Sequence, residues 1–223
     1  MEPLLVQGRV HLSSDATEPG ARKTAGTGRL EAFSDGVFAI AITLLVLELS
    51  IEPAGTALES VLAAWPFFLA YIVSFLTIGA GWLAHSGITQ RLIRVDAILL
   101  RLNLLLLLFV SLLPFPTRLV AEGLDDVSGE RVFVTMYGLT LMAIRILLFA
   151  VDEYSNKERL YGARENGGKD VVRRTILPVA AAYVVAILVG LILPRLAVGL
   201  YCLLAIYLVI PFKEMSHLLL RRS

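Results

Sequence analysis

Three residues near the start of an apolar stretch carry groups that could do chemistry. Arg29, Ser34 and Asp35 precede a run of mostly aliphatic residues that ends at Glu48. The stretch is about one bilayer-spanning helix in length, and an ionisable group at the bilayer centre costs roughly 2.5–3.5 kcal/mol. A carboxylate accepted at such a position usually faces protein or water. The sequence therefore predicts a helix that lies inside a bundle rather than against lipid.

The carboxylate of Asp35 needs a cation or several hydrogen-bond donors. At ~1.5 Å per residue it lies about 9 Å further along the helix than Arg29. A buried carboxylate without partners would hold a proton instead. The candidate partners are Ser34, His85, Asn103 and Arg145. A polar cluster that fixes helix packing is favoured over direct contact with a transported ion.

Apolar residues of the same stretch form one stripe. Ile40, Thr43, Leu44 and Leu47 fall at i, i+3, i+4 and i+7 of a helix. Asp35 points elsewhere, roughly 140° around the helix from Ile40. By itself, the spacing favours ordinary helix packing. It is also compatible with a stripe that lines a pore.

Two further polar positions lie in the following apolar segments. Trp82 and His85 are separated by one helical turn near the end of the second segment. Trp82 could anchor at the membrane interface, and His85 could join the Asp35 network. Asn103 is an amide within an apolar run, which predicts a hydrogen bond to a neighbouring helix.

The composition indicates a polytopic membrane protein. Of 223 residues 57% are hydrophobic and only 17% are charged, and the charges cluster between apolar runs. The net charge of +1 offers no basic surface for nucleic acid. The single cysteine, Cys202, excludes an intrachain disulfide framework. We expect an all-α fold without a β-barrel pattern.

We predict a disordered cytoplasmic tail at residues 1–27. The rest of the chain, residues 28–223, is predicted to form one domain with six transmembrane helices. The helices are predicted at about 29–50, 58–86, 97–120, 131–151, 175–193 and 196–212. With the N-terminus inside, 16 of the 20 Lys and Arg residues fall on the inner side. We therefore expect a multi-pass protein of the cell membrane with both termini in the cytoplasm.

Several familiar motifs are absent from the sequence. It has no Thr-Val-Gly-Tyr-Gly filter, so no pore loop with a carbonyl filter is expected. No arginine ladder or Walker A loop occurs. His11, His85 and His217 are too scattered for a fixed metal site, and no hydrolase triad is arranged. We expect neither an enzyme nor a cofactor.

The motif Arg-x-x-x-Phe-Ser-Asp at residues 29–35 resembles the signature of the transmembrane protein 175 family. This family comprises the endolysosomal potassium channels and their bacterial relatives. The pattern Ile-x-x-Thr-Leu-x-x-Leu from Ile40 to Leu47, the Trp82 and His85 pair and the six segments agree with it. A single six-helix unit resembles the bacterial form, which implies a homotetramer in the lipid bilayer.

The resemblance implies a potassium-permeable cation channel with modest preference for potassium over sodium. The first helices of four subunits would line the pore, with Ile40 as the narrowest ring and Leu44 and Leu47 further out. Thr43 would contribute to cation preference. Monovalent cations, K⁺ above all, would pass near Ile40 and Thr43 without a fixed metal site.

The resemblance also implies a polar network that braces the pore helices. Its assigned members are Arg29, Phe33, Ser34, Asp35, Trp82, His85 and Asn103.

The alternative function is a proton-coupled secondary transporter, in which Asp35 and His85 would carry the proton. Support for it from interrupted helices is thin.

Overall fold

The structure is a computed structural model that describes residues 25–53, 55–125, 129–162 and 169–209. These ranges contain eight α-helices, and a 3₁₀ turn at Leu45–Glu48 extends the first. The helices are α1 Ala25–Leu44, α2 Ala57–Ala63, α3 Trp65–Thr89, α4 Ala97–Leu112, α5 Pro114–Asp125, α6 Glu130–Lys157, α7 Lys169–Gly190 and α8 Pro194–Val209. The predicted all-α class is confirmed.

Four helical stretches in the described ranges are long and apolar enough to cross a bilayer. They are Gly26–Glu48, Trp65–Thr89, Ala97–Leu124 and Glu130–Lys157. Two shorter apolar helices, Pro178–Gly190 and Pro194–Val209, follow them. The six predicted segments therefore correspond to apolar helices, while six complete membrane crossings remain a prediction.

Two predicted helices are each divided in the structure. In the second segment, Thr56 begins α2 through a capping box: its hydroxyl accepts from the Glu59 amide and the Glu59 carboxylate accepts from the Thr56 amide. Pro66 then lies in the first turn of α3, where a missing N–H is tolerated. In the third segment, Pro114 separates α4 from α5, because proline lacks the N–H of the helical ladder.

The remaining boundaries also differ from the predicted ones. α1 begins at Ala25, so residues 25–27, predicted as part of the tail, are helical, and Thr27 is buried. α6 continues six residues past Val151, and α7 begins at Lys169 rather than 175. The rest of the predicted tail, residues 1–24, and the last predicted helical residues, 210–212, lie outside the described residues.

The helices pack so that α1 is supported by two neighbours. α1 packs against α3 and α4, while α3 also contacts α5 and α8. α6 packs against α4, α5 and α7, and α7 packs against α8. A buried hydroxyl cluster joins three helices, because Ser74 lies 2.8 Å from both the Thr117 hydroxyl and the Tyr137 hydroxyl. The position of α1 thus depends on α3 and α4.

The start of α4 offers a test of helix capping. Asp96 accepts the Leu99 amide hydrogen at 2.8 Å and the Tyr154 hydroxyl hydrogen at 2.7 Å. The Leu99 amide is the main reason that the pKa of Asp96 lies below its ordinary value. We expect Asp96→Ala to lower the free energy of unfolding by about 1 kcal/mol at neutral pH, measured by chemical unfolding in detergent.

The pH dependence of that loss follows from the lowered pKa. The stabilisation by the Asp96 carboxylate is complete above the pKa of the unfolded chain, ~3.9, and disappears as the pH falls through the lower folded value. Asp96→Asn is the control, since asparagine also caps helices but does not titrate. An alanine variant as stable as the wild type at neutral pH would contradict the assignment.

Candidate pore-lining helix and its supporting contacts

The helix α1 has one exposed and one buried face. The predicted stripe lies on the exposed face, where the side chain of Ile40 is 59% exposed and that of Leu47 is 72% exposed. Thr43 and Leu44 are exposed on the same face. The buried face consists of Leu30, Ser34, Phe38, Ala41 and Leu45. The stripe is therefore a surface of α1 that the other described helices of the chain leave uncovered.

A buried chain of hydrogen bonds joins α1 to α4 and α3. The side-chain amide of Asn103 donates to the Ser34 hydroxyl at 2.9 Å, and its carbonyl oxygen lies 2.8 Å from Nε2 of His85. Each of the three side chains is at most 1% exposed. An amide oxygen can only accept, so Nε2 of His85 carries the hydrogen in this arrangement. Asn103 thus bridges two helices with one side chain.

A second polar contact joins α1 to α3. The indole Nε1 of Trp82 donates to the Asp35 carboxylate at 2.9 Å. Ser34 and Asp35 are adjacent in sequence and point about 100° apart on the helix. One side chain therefore reaches α4 and the other reaches α3. Together they fix α1 against both of its neighbours.

Trp82 takes the place of the partners predicted for Asp35. Within the described residues, no hydrogen bond or ion pair joins Asp35 to Ser34, His85, Asn103 or Arg145. Ser34, His85 and Asn103 bond to one another instead. Arg145 lies on α6, which packs against α3, α4, α5, α7 and α8, whereas the carboxylate of Asp35 on α1 bonds to Trp82.

Arg29 and Phe33 stand apart from the buried hydrogen bonds. Both are exposed and border a cavity of about 600 Å³ between α1 and α4. The cavity is also lined by Leu100, Asn103 and Leu104. No hydrogen bond in the described part of the chain joins Arg29 to Ser34 or Asp35. The bracing role assigned to these two residues stays a prediction.

The hydroxyl of Thr43 bonds back to its own helix. It donates to the Ile40 carbonyl at 2.9 Å on the exposed face. A hydroxyl oxygen that donates in this way keeps its lone pairs available as acceptors. The Thr43 hydroxyl oxygen can therefore accept a further hydrogen bond or contact a cation at the exposed face.

Sequence reasoning missed Phe38 as a supporting residue. It is 1% exposed, and its ring centroid lies 5.4 Å from that of the His85 imidazole. Its position four residues after Ser34 places both side chains on the same face. That spacing was visible in the sequence and could have identified Phe38 as part of the buried face.

Apolar helices of membrane-spanning length, joined by polar contacts between side chains, define a polytopic helical membrane protein. A sequence model of the family described as endosomal/lysosomal potassium channel TMEM175 matches residues 29–114. The match covers the whole motif at residues 29–35, the exposed stripe, Trp82, His85 and Asn103.

Known proteins resemble the chain over most of its length. It is 36% identical over 195 residues to a protein from Chamaesiphon minutus named potassium channel, covering 84% of this chain and 95% of that relative. A protein from Streptomyces collinus that is also described as a potassium channel is 42% identical over 128 residues, which are 56% of this chain and 62% of that relative.

A solved structure agrees with these similarities. The crystal structure described as a lysosomal potassium-selective channel TMEM175 homolog from Chamaesiphon minutus superposes with a TM-score of 0.70 at 36% identity. The superposition covers 82% of this chain and 96% of that one. The chain belongs to the TMEM175 family.

Proposed function

We propose that this chain is the subunit of a potassium-permeable cation channel whose pore is lined by α1 of each copy. One observation carries the proposal, namely the separation of α1 into two faces. Its buried face holds the Ser34 contact to Asn103, and the adjacent Asp35 contacts Trp82 at the edge of that face. Its exposed face holds the stripe with Ile40. The names of the relatives from Chamaesiphon minutus and Streptomyces collinus support potassium as the permeant ion.

The apolar stripe would control the passage of ions through the width of the pore and through whether water fills it. A ring of Ile40 side chains, with Leu44 and Leu47 rings beyond it, blocks ions sterically and excludes water from the gap. Opening requires the α1 helices to shift or rotate so that water enters. Such a ring offers no ligands to replace a hydration shell, so the preference for potassium over sodium is modest.

The assembly that places α1 around an axis is a homotetramer. In this arrangement the exposed stripe faces its symmetry mates instead of lipid, and six helices of each subunit cross the cell membrane. The bias of Lys and Arg supports an orientation with both termini in the cytoplasm. Arg29 and Phe33, exposed in the single chain, then lie at the inner mouth near the neighbouring subunit.

The direct test is recording from the purified protein in a planar bilayer with potassium as the main cation. We expect unitary currents that reverse near the potassium equilibrium potential and remain without a proton gradient. Slow uptake that requires a proton gradient, without unitary currents, would favour a transporter. The separate contacts of Asp35 with Trp82 and of His85 with Asn103 support bracing over proton coupling.

Thr43→Ala is expected to lower the preference for potassium over sodium a few-fold while conduction continues. The variant removes the hydroxyl oxygen that four subunits would place beside the constriction. Permeability ratios from bi-ionic reversal potentials measure the effect. Thr43→Ser, which keeps the hydroxyl, is the matched control. Permeability ratios identical in the alanine variant and the wild type would refute this role of Thr43.

A further inference from the structure

An ion-pair cluster joins the α3–α4 loop to the end of α6. Nη2 of Arg91 lies 2.6 Å from the Asp152 carboxylate, and the Tyr161 hydroxyl donates to the same oxygen. The Arg91 guanidinium also stacks over the Tyr161 ring, 4.4 Å from its centroid. The side chains of Arg91 and Asp152 are only 18% and 13% exposed. We name Arg91, Asp152 and Tyr161 the interhelix clamp.

Backbone hydrogen bonds reinforce the clamp. The Ile93 amide donates to the Leu160 carbonyl at 2.9 Å, and the Gly162 amide donates to the Arg91 carbonyl at 3.3 Å. Leu92 and Leu160, one from each segment, are both buried in the apolar core. The loop and the segment after α6 are therefore attached by backbone, charge and apolar contacts together.

The backbone after α6 takes a conformation that fits this attachment. The Leu160 amide donates to the Ser155 carbonyl at 2.8 Å and the Arg159 amide to the Asn156 carbonyl at 3.3 Å, the two bonds of a Schellman motif. Arg159 adopts the left-handed φ of 54° that this motif requires and that glycine usually supplies. The chain thus turns back sharply toward the α3–α4 loop.

The clamp is connected to the candidate pore helix through α3 and α4. Trp82 lies about 10 Å before the end of α3, and Asn103 lies about 10 Å after Asp96, at 1.5 Å per residue. These residues hold α1 through Asp35 and Ser34. A displacement of the α3–α4 loop therefore moves both contacts that support α1.

We propose that the interhelix clamp positions the pore helix and restrains opening. This inference rests on the proposed channel function. α1 cannot shift without either breaking its two polar contacts or carrying α3 and α4 with it. The clamp fixes the loop between α3 and α4 to α6, so it opposes that joint movement. When the clamp is broken, α1 moves more often to a position in which water fills the constriction.

The experiment measures open probability in single-channel recordings of Arg91→Ala, Asp152→Ala and the double variant. We expect each single variant to raise open probability about fivefold and the double variant to add little more, because the two residues act through one contact. Unitary conductance and permeability ratios stay at wild-type values, because the residues of the constriction are unchanged. A general loss of structure would alter these two quantities as well.

Glu153→Ala is the matched control. It removes a carboxylate next to Asp152 at the same end of α6, but Glu153 pairs with Lys157 of its own helix. We expect an unchanged open probability. The charge-exchange variant Arg91→Asp with Asp152→Arg is expected to return open probability toward the wild-type value.

Wild-type open probability in both single variants, with normal unitary currents, would overturn the inference and leave the proposed channel function intact. Absence of unitary currents from the wild type would instead overturn the channel function. If the alanine variants do not fold, Tyr161→Phe removes one hydroxyl and keeps the ring over Arg91. It is expected to raise open probability about twofold. No increase in this variant would equally overturn the inference.

Discussion

Replacement of Ile40 by asparagine is expected to raise the resting potassium conductance about tenfold, because a tenfold change requires only ~1.4 kcal/mol of barrier. The physical cause is the wetting of the constriction. A ring of branched aliphatic side chains excludes water, whereas a ring of amides holds it through hydrogen bonds. Ile40 is suited to the test because it is 59% exposed in the single chain and does not belong to the buried core of the described residues.

The same substitution at Ile146 on α6 is the matched control. Ile146 is 51% exposed, so Ile146→Asn introduces the same amide at a comparably exposed site outside the stripe. Potassium flux into liposomes and single-channel recordings measure both variants. We expect the Ile146 variant to conduct like the wild type. Equal increases in both variants, or no increase in the Ile40 variant, would show that α1 does not form the constriction.

The two faces of α1 were predictable from the sequence because they depend on local geometry. A helix repeats every 3.6 residues, so the spacing of Ile40, Thr43 and Leu47 places them together. The same geometry separates Ser34 from Asp35. The exposed stripe and the buried serine both follow from this period.

The partners of the polar residues were not predictable in the same way. Trp82 is 47 positions from Asp35, and Asn103 is 69 positions from Ser34. The sequence indicated that a buried carboxylate and hydroxyl require partners but not which helix supplies them. The resemblance to a known family predicted that these residues form one network. The structure shows two separate contacts on two sides of α1.

Helix breaks and loop contacts were also not predicted from the sequence. Pro114 was a visible signal for the division between α4 and α5, and the spacing of Thr56 and Glu59 was that of a capping box. The predicted third helix followed the apolar pattern past Pro114 to residue 120, and the second was predicted to begin at about residue 58, close to the observed start of α2 at Ala57. The pairing of Arg91 with Asp152, 61 positions apart, left no local pattern at all.

Replacement of Asn103 by leucine is expected to lower the free energy of unfolding by about 3 kcal/mol. The amide is the common partner of Ser34 and His85, and all three side chains are almost fully buried. Leucine has a similar volume and suits the apolar surroundings, so little cavity forms. The loss comes from two buried polar groups without partners, each of which costs about 1–3 kcal/mol. Chemical unfolding of the purified protein in detergent measures it.

Replacing Ser34 and His85, the two residues that lose their hydrogen-bond partner, distinguishes this cause from a packing defect. If the loss arises from unsatisfied partners, then adding Ser34→Ala and His85→Leu to Asn103→Leu recovers a large part of it, since an apolar replacement of all partners is nearly neutral. A packing defect predicts the opposite, because each further core substitution would add its own cost. Asn156→Leu, the same change near the end of α6, is the control and is expected to stay within about 0.5 kcal/mol of the wild type. A triple variant less stable than Asn103→Leu would show that the network stabilises α1 through shape instead of hydrogen bonding.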